Sequence, residues 1–178
     1  NGGRQMNRSA GILLPISSLP SKYGIGSFSK SAYDFVDWLK EAGQSYWQIL
    51  PLVPTSFGDS PYQSFSTYAG NPYFIDLDAL VEEGVLTQEE VDAADFGDKA
   101  DSVDYEKLYH GRFPLLRKAY ERSNISENKD YVRYMEENGW WLKDYALFMA
   151  VKSRFDGVAW TQWAEDIKLR YGYAMDYY

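Results

Sequence analysis

The sequence predicts an α/β fold, with two βα units at residues 1–77 and a mostly helical subdomain at residues 78–178. Three observations carry this. Residues 10–16 (AGILLPI) and 46–52 (YWQILPL) are apolar runs of strand length. Between them, Ala32, Phe35, Val36 and Leu39 recur at i, i+3, i+4 and i+7, the stripe of an amphipathic helix. After Leu77, strand-like runs give way to helical patterns.

The elements run in order along the chain. The first apolar run is continuous, which suits a strand buried on both faces. It leads into the connection SSLPSKYGIGSFS. Ser29 or Ser31 then caps the helix, and Gly43 sits where a helix commonly stops. Strand, helix and strand with short links make a βαβ unit, so the two strands are expected to be parallel neighbours. Further on, Thr87 and Glu90 form a capping box that opens a short helix. Residues 104–123 read as helix interrupted by Pro114, which predicts a kink or two pieces. Residues 126–138 read as a polar amphipathic helix ending at Gly139. Residues 140–155 (WWLKDYALFMAVKSRF) are apolar almost all round, which predicts a buried helix. Residues 160–170 form a shorter, charged segment.

Residues 57–77 (FGDSPYQSFSTYAGNPYFIDL) are the most informative stretch. Gly58, Pro61, Gly70 and Pro72 make it a long ordered loop. Loops of this length in compact domains are functional or disordered, and a segment rich in aromatics and poor in charge is not of the disordered type. Aromatic faces beside short hydroxyl and amide groups suit a ligand with apolar C–H faces and a rim of hydroxyls, such as a sugar. The loop begins after the second strand, at the edge where parallel α/β folds bind ligands.

Composition narrows the function. The net charge of −8 argues against nucleic-acid binding and against an anionic membrane partner. No apolar run approaches membrane-spanning length. There is no cysteine, which fits a cytoplasmic protein without disulfides or thiol chemistry. The single histidine, His110, excludes a multi-histidine metal site and reads as a helix-surface residue. No metal or cofactor is expected. Two βα units cannot close a parallel sheet, and an eight-stranded barrel needs roughly 250 residues. The chain is therefore expected to be the N-terminal piece of something larger.

Three blocks carry a family resemblance: LLPISSLPSKYGIG, then FVDWLKEAGQSYWQILPLVPTSFGDSPYQSFSTYAGNPYFIDL, then WWLKDYALFMAVK. In that order they resemble the N-terminal third of the 4-α-glucanotransferase (amylomaltase, disproportionating enzyme) family. One departure is visible: this chain has LLPISSLP where some members carry a histidine, as in LLHPTSLP.

The resemblance implies the N-terminal part of a (β/α)8 barrel with helical insertions. It implies a parent enzyme of carbohydrate metabolism that moves α-1,4-glucan segments between maltodextrins, starch or glycogen being the wider substrates. Its partners would be maltooligosaccharides and the remainder of the barrel. The implied chemistry is a retaining double displacement, with a carboxylate nucleophile and a second carboxyl as acid/base. In the family these groups lie on later strands. No catalytic residue is assigned to this chain, and the isolated piece is expected to be inactive. The alternative is a non-catalytic glucan-binding or protein-interaction module.

For the binding residues, Tyr62 matches the family tyrosine next to the cleaved bond. Asp59, Ser60, Gln63 and Ser64 surround it with groups suited to sugar hydroxyls, although Asp59 and Ser60 alone also read as turn residues before Pro61. Phe57 and Tyr109 match an aromatic platform for a second stretch of glucan, with ordinary packing as the other reading. Asn71 and Pro72 are expected to shape the loop. Trp38, Trp47, Trp140, Trp141, Trp160 and Trp163 read as packing, and Glu82, Glu83, Glu136 and Glu137 as solvated charge.

Overall fold

The computed structural model describes residues 8–99 and 101–178, without the side chain of Phe57. The chain divides into two compact units, one ending at Asn124 and the other spanning Ile125–Tyr178.

In the first unit, strands β1 (Gly11–Leu13) and β2 (Tyr46–Gln48) pair in parallel, with Gly11 opposite Tyr46 and Leu13 opposite Gln48. Helix α1 (Lys30–Glu41) is the crossover. The expected βαβ unit is present, but the strands are shorter than the apolar runs. Past Gln48 the Leu14 carbonyl, which the Leu50 N–H would meet in the same register, accepts instead from the Trp47 indole, and the ladder ends there. Nor are the strands buried on both faces. Ile12 and Trp47 are half-buried, and Trp47 meets Phe35 of α1 edge-to-face at 4.9 Å. Gly11, Leu13, Tyr46 and Gln48 alternate with them and are exposed. One face of the pair packs on α1, and the other is open among the described residues.

Ser29 stands at the N-cap of α1, but its hydroxyl does not bond the helix N–H groups. It meets the Ser31 hydroxyl at 2.8 Å, which donates to the Pro20 carbonyl. Gly43 ends the helix with φ of 68°. Its N–H bonds Lys40 and that of Gln44 bonds Leu39, the paired bonds that close a helix over a left-handed residue.

After the loop come α2 (Leu77–Glu82), α3 (Gln88–Asp92) and α4 (Tyr105–Arg122). The Thr87–Glu90 capping box forms as expected. Helix α4 runs through Pro114 as one element. The carbonyl that loses its bond is that of His110, and both residues are exposed, so water can serve it. The compact units do not part near residue 77. Leu77, Leu86, Val91, Leu108, Leu115 and Ala119 share one core with Ile16, Leu19, Tyr23 and Ile25. Fully burying a Leu or Val contributes about 1.5–3 kcal/mol, so hydrophobic burial binds the helices after Leu77 firmly to the N-terminal segment.

In the second unit, α5 (Lys129–Arg154) is a single helix with Gly139 inside it, not two helices meeting there. A glycine in a helix interior costs about 1 kcal/mol, and good helix formers on both sides outweigh it. The expected burial of residues 140–155 is also not met. Val151 is the buried residue of α5, while Trp140 is 68% exposed. Val151 packs with Trp163, Ile167 of α6 (Glu165–Lys168) and Ala174 of α7 (Gly172–Tyr177). Trp163 is thus core, whereas Trp38, Trp140 and Trp160 are exposed. Among the described residues no strand follows Gln48, and no helix is long and apolar enough to cross a membrane.

This packing yields two testable expectations. A Cβ at Gly26 would fall 2.0 Å from the Ile16 carbonyl oxygen and 2.7 Å from the Leu19 nitrogen, both backbone atoms. Gly26→Ala is expected to destabilise the chain at the upper end of about 1–3 kcal/mol, read as a lowered unfolding midpoint in denaturant. An unchanged midpoint contradicts the close approach. The second concerns Glu90. Arg122, then Lys118, then the Thr87 N–H hold its carboxyl at about 2, below the ordinary 4.5. Because the folded value is the lower one, this stabilisation is present above pH 4.5 and lost as pH falls toward 2. The gap in thermal midpoint between the chain and Glu90→Gln should shrink across that interval; a constant gap contradicts it.

Candidate functional site

Both strands point their C-terminal ends at the same edge, because they are parallel. The segments leaving that edge line a cavity of 110 Å³ with Ile16, Ser17, Leu52, Pro61, Asn71 and Tyr105 on its wall. Residues 57–77 lie over this edge and are held by their own short side chains.

Asn71 is the anchor, and it shapes the loop as expected. It is buried, its N–H donates to the Leu52 carbonyl at 2.8 Å, and its Oδ1 accepts from the Tyr73 N–H at 3.0 Å. Pro72–Phe74 continue the chain as one 3-10 turn. The Ser66 hydroxyl accepts from the Tyr68 and Ala69 N–H groups at 3.1 Å. Ser64 donates to the Ser66 carbonyl at 2.8 Å and accepts from its N–H at 3.2 Å. The Ser60 hydroxyl accepts from the Tyr62 N–H at 3.2 Å, leaving its own proton to donate outward. These bonds fold the chain locally without a ladder, as serine and asparagine side chains do in turns.

The outer face carries the groups that the backbone does not use. Tyr62 is 73% exposed, and Gln63 beside it is exposed. Gly58 and Asp59 take φ of 71° and 53°, two successive left-handed residues that make a sharp turn and leave Asp59 exposed. The loop's Tyr73 ring packs against Tyr105 at 6.0 Å and Phe113 at 5.6 Å, both on α4. Phe113 in turn meets Tyr109 at 5.0 Å. Burial first, and then the charge of Asp59, push the Tyr73 phenol up to about 12 and raise that of Tyr105 as well. Asp59 and Tyr109 therefore border one ring cluster.

The structure thus places Asp59, Ser60, Tyr62, Gln63 and Ser64 on one stretch, and Tyr109, 54% exposed, on α4 above the rings that meet the loop. The Phe57 side chain lies outside the described residues. His110 is exposed, as expected of a helix-surface residue. Sequence reasoning missed Tyr105, Phe113 and Arg112. Arg112 falls on the buried stripe of α4 with Leu108, Leu115 and Ala119. That misplaced charge was the available signal. Burial lowers its guanidinium to about 10.

The arrangement offers exposed rings and short polar groups, which suit binding. The carboxyls displaced from their ordinary range are Glu90 and Asp95, and both are held low, by Arg122 and Lys118 in one case and by the Gly97 N–H and Lys107 in the other. Among the described residues no cluster of three or more His, Cys, Asp or Glu is placed to hold a metal.

Comparison with known proteins gives this geometry a family. The family model described as 4-alpha-glucanotransferase matches residues 14–178. The chain is 51% identical over 173 residues to the 4-alpha-glucanotransferase of Streptococcus pneumoniae, covering 96% of this chain and 34% of that one. It is 44% identical over 170 residues to the Thermus thermophilus 4-alpha-glucanotransferase, covering 93% and 33%. The solved amylomaltase from Streptococcus agalactiae in complex with acarbose superposes with a TM-score of 0.86 at 40% identity, covering 96% and 35%. The chain thus spans about a third of the length of these relatives. The family match runs through the loop, the strand edge beneath it and all the helices that come after, and this chain belongs to the 4-alpha-glucanotransferase family.

Proposed function

We propose that the chain is the N-terminal third of a 4-α-glucanotransferase that moves α-1,4-glucan segments between maltodextrins. In this reading it provides the first two βα units of a (β/α)8 barrel, a helical insertion, and part of the sugar surface. The observation that carries it is the placement of residues 57–77, within the family match, over the C-terminal edge of two parallel strands.

Each group takes a role that its chemistry permits. The Tyr62 ring stacks on the C–H face of a glucosyl unit beside the bond that reacts. Ser60 donates its free proton to a sugar hydroxyl, Gln63 can donate and accept, and Asp59 and Ser64 accept. Phe57 and Tyr109 form a platform for a more distant stretch of glucan. The nucleophile and the acid/base carboxyl come from elsewhere in the parent protein, roughly 5 Å apart as a retaining mechanism requires. The division of labour is physical. Rings and hydroxyls give orientation and face-to-face contact, while the carboxyls perform the displacement and the proton transfer.

A paired comparison in the full-length enzyme tests this. Stacking next to the reacting sugar matters more as the ring flattens toward its oxocarbenium-like transition state. Tyr62→Ala is expected to lower kcat/KM on maltotriose by about tenfold to a thousandfold, or about 1.4–4 kcal/mol, mostly in kcat. Phe57→Ala and Tyr109→Ala are expected to raise KM for long glucans and alter product length more than they change turnover of maltotriose. A folded Tyr62→Ala enzyme with full activity on maltotriose, beside a Tyr109→Ala enzyme without any, would mean the two surfaces are reversed.

A further inference from the structure

Arg112 is 1% exposed, the largest fully buried side chain of the described residues. It occupies a stripe otherwise held by Leu108, Leu115 and Ala119. Burying a guanidinium is costly unless it is paired and hydrogen-bonded. Arg112 forms no ion pair among the described residues. One nitrogen, Nη2, donates to the Ile75 carbonyl at 2.5 Å, and Nε has no partner. An apolar side chain of similar volume would fill the same space at no loss of packing, so filling space does not account for the charge.

The guanidinium adds one directed bond, and both of its ends are informative. Ile75 comes after the turn Pro72–Phe74 and precedes Asp76, the N-cap of α2, so its carbonyl marks the exit of the loop. Arg112 stands three residues after Tyr109, hence one turn further along the same helix. The neighbouring Phe113 touches both Tyr109 and Tyr73. Ring contacts spread over a broad face, whereas a charge-assisted hydrogen bond to a single carbonyl is short, strong and directed at one atom.

We propose that Arg112 is a positioning residue, whose bond to the Ile75 carbonyl fixes the register between the Tyr109-bearing face of α4 and the loop at residues 57–77. This deepens the glucan-binding reading and rests on it. With the register set, a long glucan can lie on Tyr109 and enter the loop without either surface readjusting. With the register loose, long chains lose the benefit of the second contact and short chains do not.

The test uses the full-length enzyme with Arg112→Met, Arg112→Lys, Tyr109→Ala and the Arg112→Met/Tyr109→Ala double variant. The readout is the ratio of KM for a long glucan to KM for maltotriose, taken with the thermal midpoint. Arg112→Met is expected to raise the ratio about threefold to tenfold, a difference on the order of 1 kcal/mol converted to binding, while the thermal midpoint stays near that of the parent. Arg112→Lys, which keeps a donor, should recover part of that shift. The double variant should show little more than Tyr109→Ala alone, because both act on one contact. A lowered midpoint with an unchanged ratio overturns the proposal and leaves Arg112 a stability element. So does a double variant whose losses multiply. Should Arg112→Met fail to fold, Arg112→Lys decides on the same ratio, and no shift overturns the proposal. If Tyr109→Ala itself leaves the ratio unchanged, the platform reading fails and the proposal with it. If Tyr109→Ala shifts the ratio and the Arg112 variants do not, only the positioning role fails.

Discussion

Two strands that run parallel cannot be joined by a tight turn, and most of the first unit is a consequence of that. The chain leaving Leu13 must return to the start of β2 before it can pair, and helix α1 makes the return. Both strand ends then open on one edge, so the segments leaving β1 and β2 are delivered side by side. Leu14 and Trp47 extend the pairing past the ladder: the Leu14 N–H donates to the Gln48 carbonyl, and the Trp47 indole donates to the Leu14 carbonyl at 2.8 Å. Residues 14–28 and 49–77 meet over that edge. The Phe28 N–H bonding the Phe74 carbonyl is a direct contact between the two segments.

The loop solves a backbone problem and leaves a surface as the result. An irregular segment must satisfy its own N–H and C=O groups. Here Ser60, Ser64, Ser66 and Asn71 do so from within. Short side chains thus hold the backbone, and the rings divide by position. Tyr73 and Phe74 turn inward to the core, while Tyr62 and Tyr68 remain outside. The same segment holds itself to the strand edge and presents aromatic faces beyond it. Tyr105, Tyr109 and Phe113 bring α4 to the loop, which joins a helical element to a surface that the βα units alone would leave incomplete.

Much of this was legible from short-range pattern. The apolar stripe of α1, the glycine that closes it, the Thr87–Glu90 box and the turn residues of the loop are all local devices, and each acts where the sequence shows it, except that Val36 of the stripe is exposed. The features that were not legible depend on distant partners. Residues 140–155 are apolar enough to be core, but only Val151 finds a buried place in its unit, because burial requires a surface to pack against. The strands are shorter than their apolar runs because the Trp47 indole takes the Leu14 carbonyl where the ladder would continue, and they are partly exposed because only one of their faces meets α1. Gly139 and Pro114 look like breaks in the sequence, yet helix flanks in one case and solvent access in the other carry the backbone through. In the candidate site, Tyr62 and its neighbours were visible from composition and family resemblance. The ring cluster under Tyr109 was not, since Tyr73 and Phe113 are far apart in sequence and meet only in the fold.

In the proposed reading, residues 57–77 and Tyr109 form one glucan-binding surface along the C-terminal edge of the strands. A crystal structure of the full-length protein with a bound maltooligosaccharide tests it most directly. The expected result is a glucosyl ring stacked on Tyr62, with Ser60 or Gln63 within hydrogen-bond distance of its hydroxyls, and glucan density over Tyr109. An oligosaccharide bound elsewhere, with both tyrosines left in solvent, would contradict it.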